Sequence, residues 1–107
     1  MDMMLSDRYI KIIINIINQY GETSQVLQSI EEMSELTKEL LKNINRNENN
    51  EKEIIQEIAD VIIMITQLVM IYKIDVEKIY GAIEYKLERQ EKRMNNEKNK
   101  DLNCMSD

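Results

Sequence analysis

Apolar and polar positions along the chain recur with a period near 3.6 residues. Ile10, Ile13, Ile14 and Ile17 follow helical spacing while Lys11, Asn15 and Asn18 make a polar face, which a period of two would not produce. This predicts a first helix from an N-cap at Ser6 to Tyr20, with Gly21 as its stop. A second helix, capped by Thr23 or Ser24 and running to about Asn43, carries an apolar stripe of Val26, Ile30, Met33, Leu40 and Ile44. Gln25, Gln28, Glu32, Glu35 and Glu39 form a polar ridge along one flank of that stripe. Asn43 to Asn50, NINRNENN, has no apolar period and reads as the loop that reverses the chain.

A third helix spans about Glu51 to Tyr72, with Ile54, Ile58, Ile62, Ile65 and Val69 as its core face, and from Ile58 onward it is apolar nearly all round. Asp75 caps a fourth helix whose apolar face is Val76, Ile79, Tyr80, Ile83, Leu87 and Met94. Its charges are sorted by sign, with Lys86, Arg89 and Arg93 on one flank and Glu77, Glu84, Glu88 and Glu91 on the other. The polar residues from about Asn95 read as a frayed or disordered tail, which divides the chain into a helical domain over 1–95 and a tail over 96–107.

Composition supports an all-α fold: there is no proline, only two glycines, and abundant Ile, Leu, Met, Glu, Lys and Gln, although the excess of β-branched Ile tempers the propensity argument. The expectation is an antiparallel bundle of about four helices. At 107 residues such a domain buries a modest share of its surface, so completion of the core by oligomerisation is expected. A net charge of −6 disfavours a nucleic-acid partner, because those proteins usually present a basic face. The lone Cys104 excludes an intramolecular disulfide and, with no histidine in the chain, makes a catalytic thiol a poor reading; a reducing, cytoplasmic setting is the simplest expectation. The N-terminus lacks the pattern of a signal peptide, and the most apolar run, Val61 to Tyr72, is too short to span a bilayer.

Two acidic stretches carry the candidate chemistry. EEMSE, Glu31 to Glu35, and EIAD, Glu57 to Asp60, each pair carboxylates three residues apart, so Glu32 with Glu35 and Glu57 with Asp60 share a helix side. If their helices are antiparallel neighbours, the four converge. Either motif alone is more often a solvated helix face. Glu57 and Asp60, however, lead into an apolar helix, where uncompensated carboxylates are costly. A site of oxygen ligands alone suits Mg²⁺, or Mn²⁺ in its place, and the absence of histidine argues against a di-iron centre. Mg²⁺ shares itself with substrate phosphates, for which Lys86, Arg89 and Arg93 form a candidate flank. Gln25 and Gln28 are weaker candidates for substrate contact, plain surface being their commoner role.

EExxE followed after a spacer by ExxD, with YGETSQ, ELTKEL, EIADVIIMITQL and YKLERQEKR around them, resembles the MazG-like all-α nucleoside triphosphate pyrophosphohydrolases, of the small Gram-positive and phage type, from about Tyr20 to Arg93. The resemblance implies a helical bundle assembled as a homodimer or homotetramer, with no membrane partner. It implies Mg²⁺-dependent hydrolysis of an NTP or dNTP to the monophosphate and pyrophosphate, in the service of nucleotide-pool housecleaning. On it, Glu32, Glu35, Glu57 and Asp60 occupy metal-ligand positions, Glu31, Glu32 and Glu35 are the catalytic acids with Glu31 orienting water, and Lys86 and Arg89 match phosphate-holding positions. Some relatives position the base with tryptophan or histidine, and this chain has neither, nor any phenylalanine, so base selectivity does not carry over. The alternative is a non-catalytic helical oligomeric interaction module or nucleotide-binding module.

Overall fold

The computed structural model describes residues 5–105, with the side chains of 104 and 105 excepted. The expectations placed on the first four residues, the last two and the Cys104 thiol lie outside the described residues. Four helices follow in order, α1 Asp7–Tyr20, α2 Glu22–Arg46, α3 Glu51–Ile71 and α4 Val76–Met105, and no strand occurs among the described residues. The fold is all-α, as the periodicity predicts. The chain divides into two units at Ile74 and Asp75, so α1 to α3 form one and α4 the other.

A single residue joins α1 to α2. Gly21 holds φ 93°, a region L side chains rarely enter. Its N–H donates to the Ile17 carbonyl at 2.8 Å, and its own carbonyl accepts from the Gln25 N–H at 3.1 Å. Gly21 therefore ends one helix and caps the next, and the expected cap at Thr23 or Ser24 is not used: both residues lie inside the first turn of α2. Ser6 sits at the N-cap of α1 without a side-chain capping bond.

The turn between α2 and α3 is shorter and more tightly tied than an Asn-rich stretch suggests. α2 continues to Arg46, and Asn47 closes it in the left-handed conformation, φ 53°. Asn50 is buried. Its Nδ2 donates to the Glu39 carbonyl at 2.8 Å and to Glu39 Oε2 at 2.7 Å, while its Oδ1 accepts from Asn43 Nδ2 at 3.1 Å. These bonds pin the start of α3 to the side of α2. They also hold the Glu39 carboxyl below its ordinary range, with the Lys42 ammonium at 3.2 Å assisting.

The short turn makes α2 and α3 antiparallel, and their contact is the most extensive in the first unit, with α1 packed on both. It is not made by the stripe that periodicity assigns to the core. Gln25 and Ser29 are buried and Gln28, Glu32, Leu36 and Glu39 half-buried, so α2 turns its polar ridge inward. The apolar stripe is left outside: Ile30, Met33 and Leu40 are exposed, and Ile44 is 75% exposed. On α3, Val69 is buried and Ile54 and Ile62 half-buried, as expected, but Ile58 and Ile65 are exposed. Ile13 of α1 and Val69 are the only apolar residues buried outright among the described residues. The physical reason is partner choice: a single chain has too few helices to cover both the ridge and the stripe.

The helix that holds the apolar run is longer than the run itself. α3 has 21 residues and is long and apolar enough, by length and composition alone, to cross a membrane. It carries Glu57 and Asp60 in its second and third turns and lies along α2, which is the character of a bundle helix.

In the second unit, Asp75 Oδ1 accepts from the Glu77 N–H at 3.0 Å, the capping geometry its position predicts. Val76, Ile79 and Tyr80 are half-buried, and from Gly81 to Asn103 every residue is exposed. α4 continues to Met105, so residues 96–105, expected to fray or be disordered, are helical. Arg89 lies over the Tyr85 ring, 5.5 Å from its centroid.

Candidate metal centre

The antiparallel pairing brings the two acidic motifs together. One carboxylate oxygen from each of Glu32, Glu57 and Asp60 lies within 4.8 Å of the others. The three side chains come from α2 and from successive turns of α3, and all are half-buried. Gln28, one turn before Glu32, donates from Nε2 to Glu32 Oε1 at 2.8 Å and so fixes the direction of that carboxylate. A residue read as a weak candidate for substrate contact thus touches a proposed metal ligand.

Glu57 is the most constrained of the three. Its Oε2 is buried and has no hydrogen-bond partner among the described residues. Loss of solvation raises its carboxyl above the ordinary value, and the charges of Asp60, Glu32, Glu35 and Glu39 add to the rise. An unpaired, desolvated carboxylate oxygen among like charges is unfavourable until a cation reaches it. The donor set is hard oxygen throughout, and oxygens sharing an Mg²⁺ at about 2.1 Å lie about 3 to 4 Å apart. Only a small inward movement separates these side chains from that spacing, so the residues fit a divalent cation.

The other predicted residues distribute differently. Glu35 stands outside the trio: it is exposed, and its Oε1 pairs with Lys38 Nζ at 3.4 Å. Glu31 is exposed on α2. Gln25 is buried. Lys86, Arg89 and Arg93 are exposed on α4, in the second unit.

Two buried polar residues near the acidic pair were not candidates. Ser29 is 1% exposed, and its hydroxyl donates to the Gln25 carbonyl at 2.9 Å. Gln67 is 0% exposed, and neither Nε2 nor Oε1 has a hydrogen-bond partner among the described residues. Burying an unpaired carboxamide costs about 1 to 3 kcal/mol. The available signal was spacing, since Gln67 follows Asp60 by seven residues, two turns along the same helix side.

A family model described as the MazG nucleotide pyrophosphohydrolase domain matches residues 21–95. No curated protein and no solved structure matches the chain significantly. The match takes in all of α2 and α3, hence both acidic motifs and the turn that pairs them, together with the first two-thirds of α4. The chain belongs to the MazG nucleotide pyrophosphohydrolase family.

Proposed function

We propose that the protein is a Mg²⁺-dependent nucleoside triphosphate pyrophosphohydrolase of the cytoplasm, converting an NTP or dNTP to its monophosphate and pyrophosphate in nucleotide-pool housecleaning. The observation that carries the metal requirement is the buried, unpaired Glu57 oxygen beside Glu32 and Asp60. Mn²⁺ fits the same oxygen ligands. Glu35 completes the ligand set by leaving its exposed pair with Lys38, a pair of a kind worth less than about 1 kcal/mol.

A divalent ion held there supplies Lewis-acid polarisation of the phosphoryl oxygens and activates water. The chain's own groups do the rest. Gln28 keeps Glu32 aimed at the centre. Glu31, next to Glu32, orients the water whose oxygen attacks the α-phosphorus as the bond to the bridging oxygen breaks; a carboxylate of the motif takes its proton, and pyrophosphate leaves. Gln25, buried near the start of α2, is proposed to contact substrate, and Lys86, Arg89 and Arg93 to contact phosphate on their motif positions alone.

The test is a panel of canonical and modified nucleoside triphosphates, with and without Mg²⁺, read by pyrophosphate release. At least one nucleotide should be cleaved between its α and β phosphates in the presence of metal only. Metal-dependent thermal stabilisation by nucleotides without product would favour a binding module, and neither response would favour an interaction module.

The exposed apolar stripe of α2, Ile30 to Ile44, with Ile55, Ile58 and Ile65 of α3, supports assembly as a homodimer or homotetramer. Light scattering at micromolar concentration should give a mass of two or four chains of 12.7 kDa. A monomer mass would count against assembly.

A further inference from the structure

Two turns away from the carboxylates, the same helix pair buries a second polar level. Gln25 precedes Glu32 by seven residues on α2, and Gln67 follows Asp60 by seven on α3. Because the helices are antiparallel, both steps run in one direction, about 10 Å at 1.5 Å per residue. Gln25 and Gln67 are buried at that level, and Ser29, three residues before Glu32, is buried between it and the carboxylates. The Ser29 hydroxyl is committed as a donor to the Gln25 carbonyl, whereas both polar atoms of the Gln67 carboxamide are unpaired. Met64 lies between Asp60 and Gln67 on the same side of α3 and is half-buried.

A core glutamine satisfied by internal partners would be the bland account of such a residue, and Gln67 has no such partner among the described residues. An apolar side chain of the same length would pack there without the desolvation cost, so packing does not account for the amide, and a ligand that pairs with it would. A carboxamide offers one donor beside one acceptor. That pattern complements a nucleobase edge, which likewise sets a donor beside an acceptor. A nucleotide with its phosphates at the carboxylate cluster would extend its base along the helix pair over a distance of this order.

We infer that Gln67 is a specificity-determining residue that reads the donor and acceptor edge of the base of a nucleotide whose phosphates lie at the Glu32, Glu57 and Asp60 cluster. The inference rests on the proposed nucleotide reaction and adds the group that selects its substrate.

The experiment compares wild type, Gln67→Leu and Gln67→Glu across the nucleotide panel, with inorganic tripolyphosphate as a base-free competitor. Gln67→Leu should lower kcat/KM for the preferred nucleotide about tenfold or more and flatten the ranking among bases. Inhibition by tripolyphosphate should stay within about twofold, and the melting temperature should not fall. Gln67→Glu, which keeps shape but loses the donor, should reorder the ranking and serves if Gln67→Leu does not fold. An unchanged ranking, or an equal loss toward tripolyphosphate, overturns the inference. If the wild type cleaves no nucleotide, the proposed reaction fails separately. The same comparison is then read from melting shifts with Mg²⁺, where the wild type must be stabilised more by a nucleotide than by tripolyphosphate and Gln67→Leu must lose that excess. No excess in the wild type overturns the inference.

Discussion

Replacing Asp60 by Asn is expected to lower Mg²⁺-dependent pyrophosphate release by about a hundredfold or more while leaving the metal-free fold intact. Asp60 supplies one of three converging oxygens, and losing a ligand removes both the cation's affinity and its placement against the α-phosphate. The same change relieves repulsion, because after desolvation the charge of Asp60 does most to raise the Glu57 carboxyl. The metal-free melting temperature should therefore hold or rise, which separates lost chemistry from lost folding. Glu35→Gln gives the informative contrast. Glu35 is exposed and paired to Lys38, so its substitution should cost activity, by about tenfold or more, only if it swings into the ligand set in the loaded enzyme. Asp60→Asn retaining activity within threefold of wild type would sink the proposed centre.

A second large effect is expected in stability. Mg²⁺ should raise the melting temperature of the wild type near pH 7, and the increment should shrink as the solution is acidified. At a concentration a hundred times its dissociation constant, a cation that binds only the folded chain adds about 2.7 kcal/mol, worth about 10 to 20 °C for a domain of this size. The sign for the metal-free chain follows from Glu57. Its folded pKa is raised, so the stability it contributes is fully present below the ordinary carboxylate value and is lost as pH rises through the raised folded value. Glu39 acts in the opposite sense: its folded pKa is lowered, so its contribution is present above the ordinary value and is lost as pH falls through the lowered one. The difference between wild type and Glu57→Gln isolates the Glu57 term. Thermal melts from pH 4 to 7 should show wild type losing stability relative to Glu57→Gln as pH rises, with Mg²⁺ reversing the order at pH 7. A Mg²⁺ increment of equal size in Glu57→Gln would show that Glu57 does not hold the ion.

The exposed stripe of α2 bears on both results. Helical periodicity groups residues that share a side of a helix, and Gln25, Gln28, Glu32 and Glu39 of the ridge do share the inward side, whereas Glu35 is exposed and Val26 of the stripe is half-buried. It carries no information about which side meets which neighbour. Assigning the stripe to the core rests on the hydrophobic effect acting within one chain. Here most of the ridge, Glu35 excepted, turns inward, and Ile30, Met33, Leu40 and Ile44 of the stripe are exposed.

Local sequence by itself determined the all-α class, the four helices and most of their ends, because those depend on short-range terms: period, a positive-φ glycine at Gly21, a capping aspartate at Asp75. It also marked Glu57 as a costly carboxylate, since its helix is apolar beyond it, and its Oε2 is buried with no hydrogen-bond partner among the described residues. Only the tertiary structure decided that Asn50 fastens α3 to Glu39, that Glu32 joins Glu57 and Asp60 while Glu35 stays with Lys38, and that Gln67 lies buried with no hydrogen-bond partner among the described residues. Each of those outcomes depends on the register of two antiparallel helices. Register is set by packing summed over the whole contact, and no spacing within a single helix encodes it.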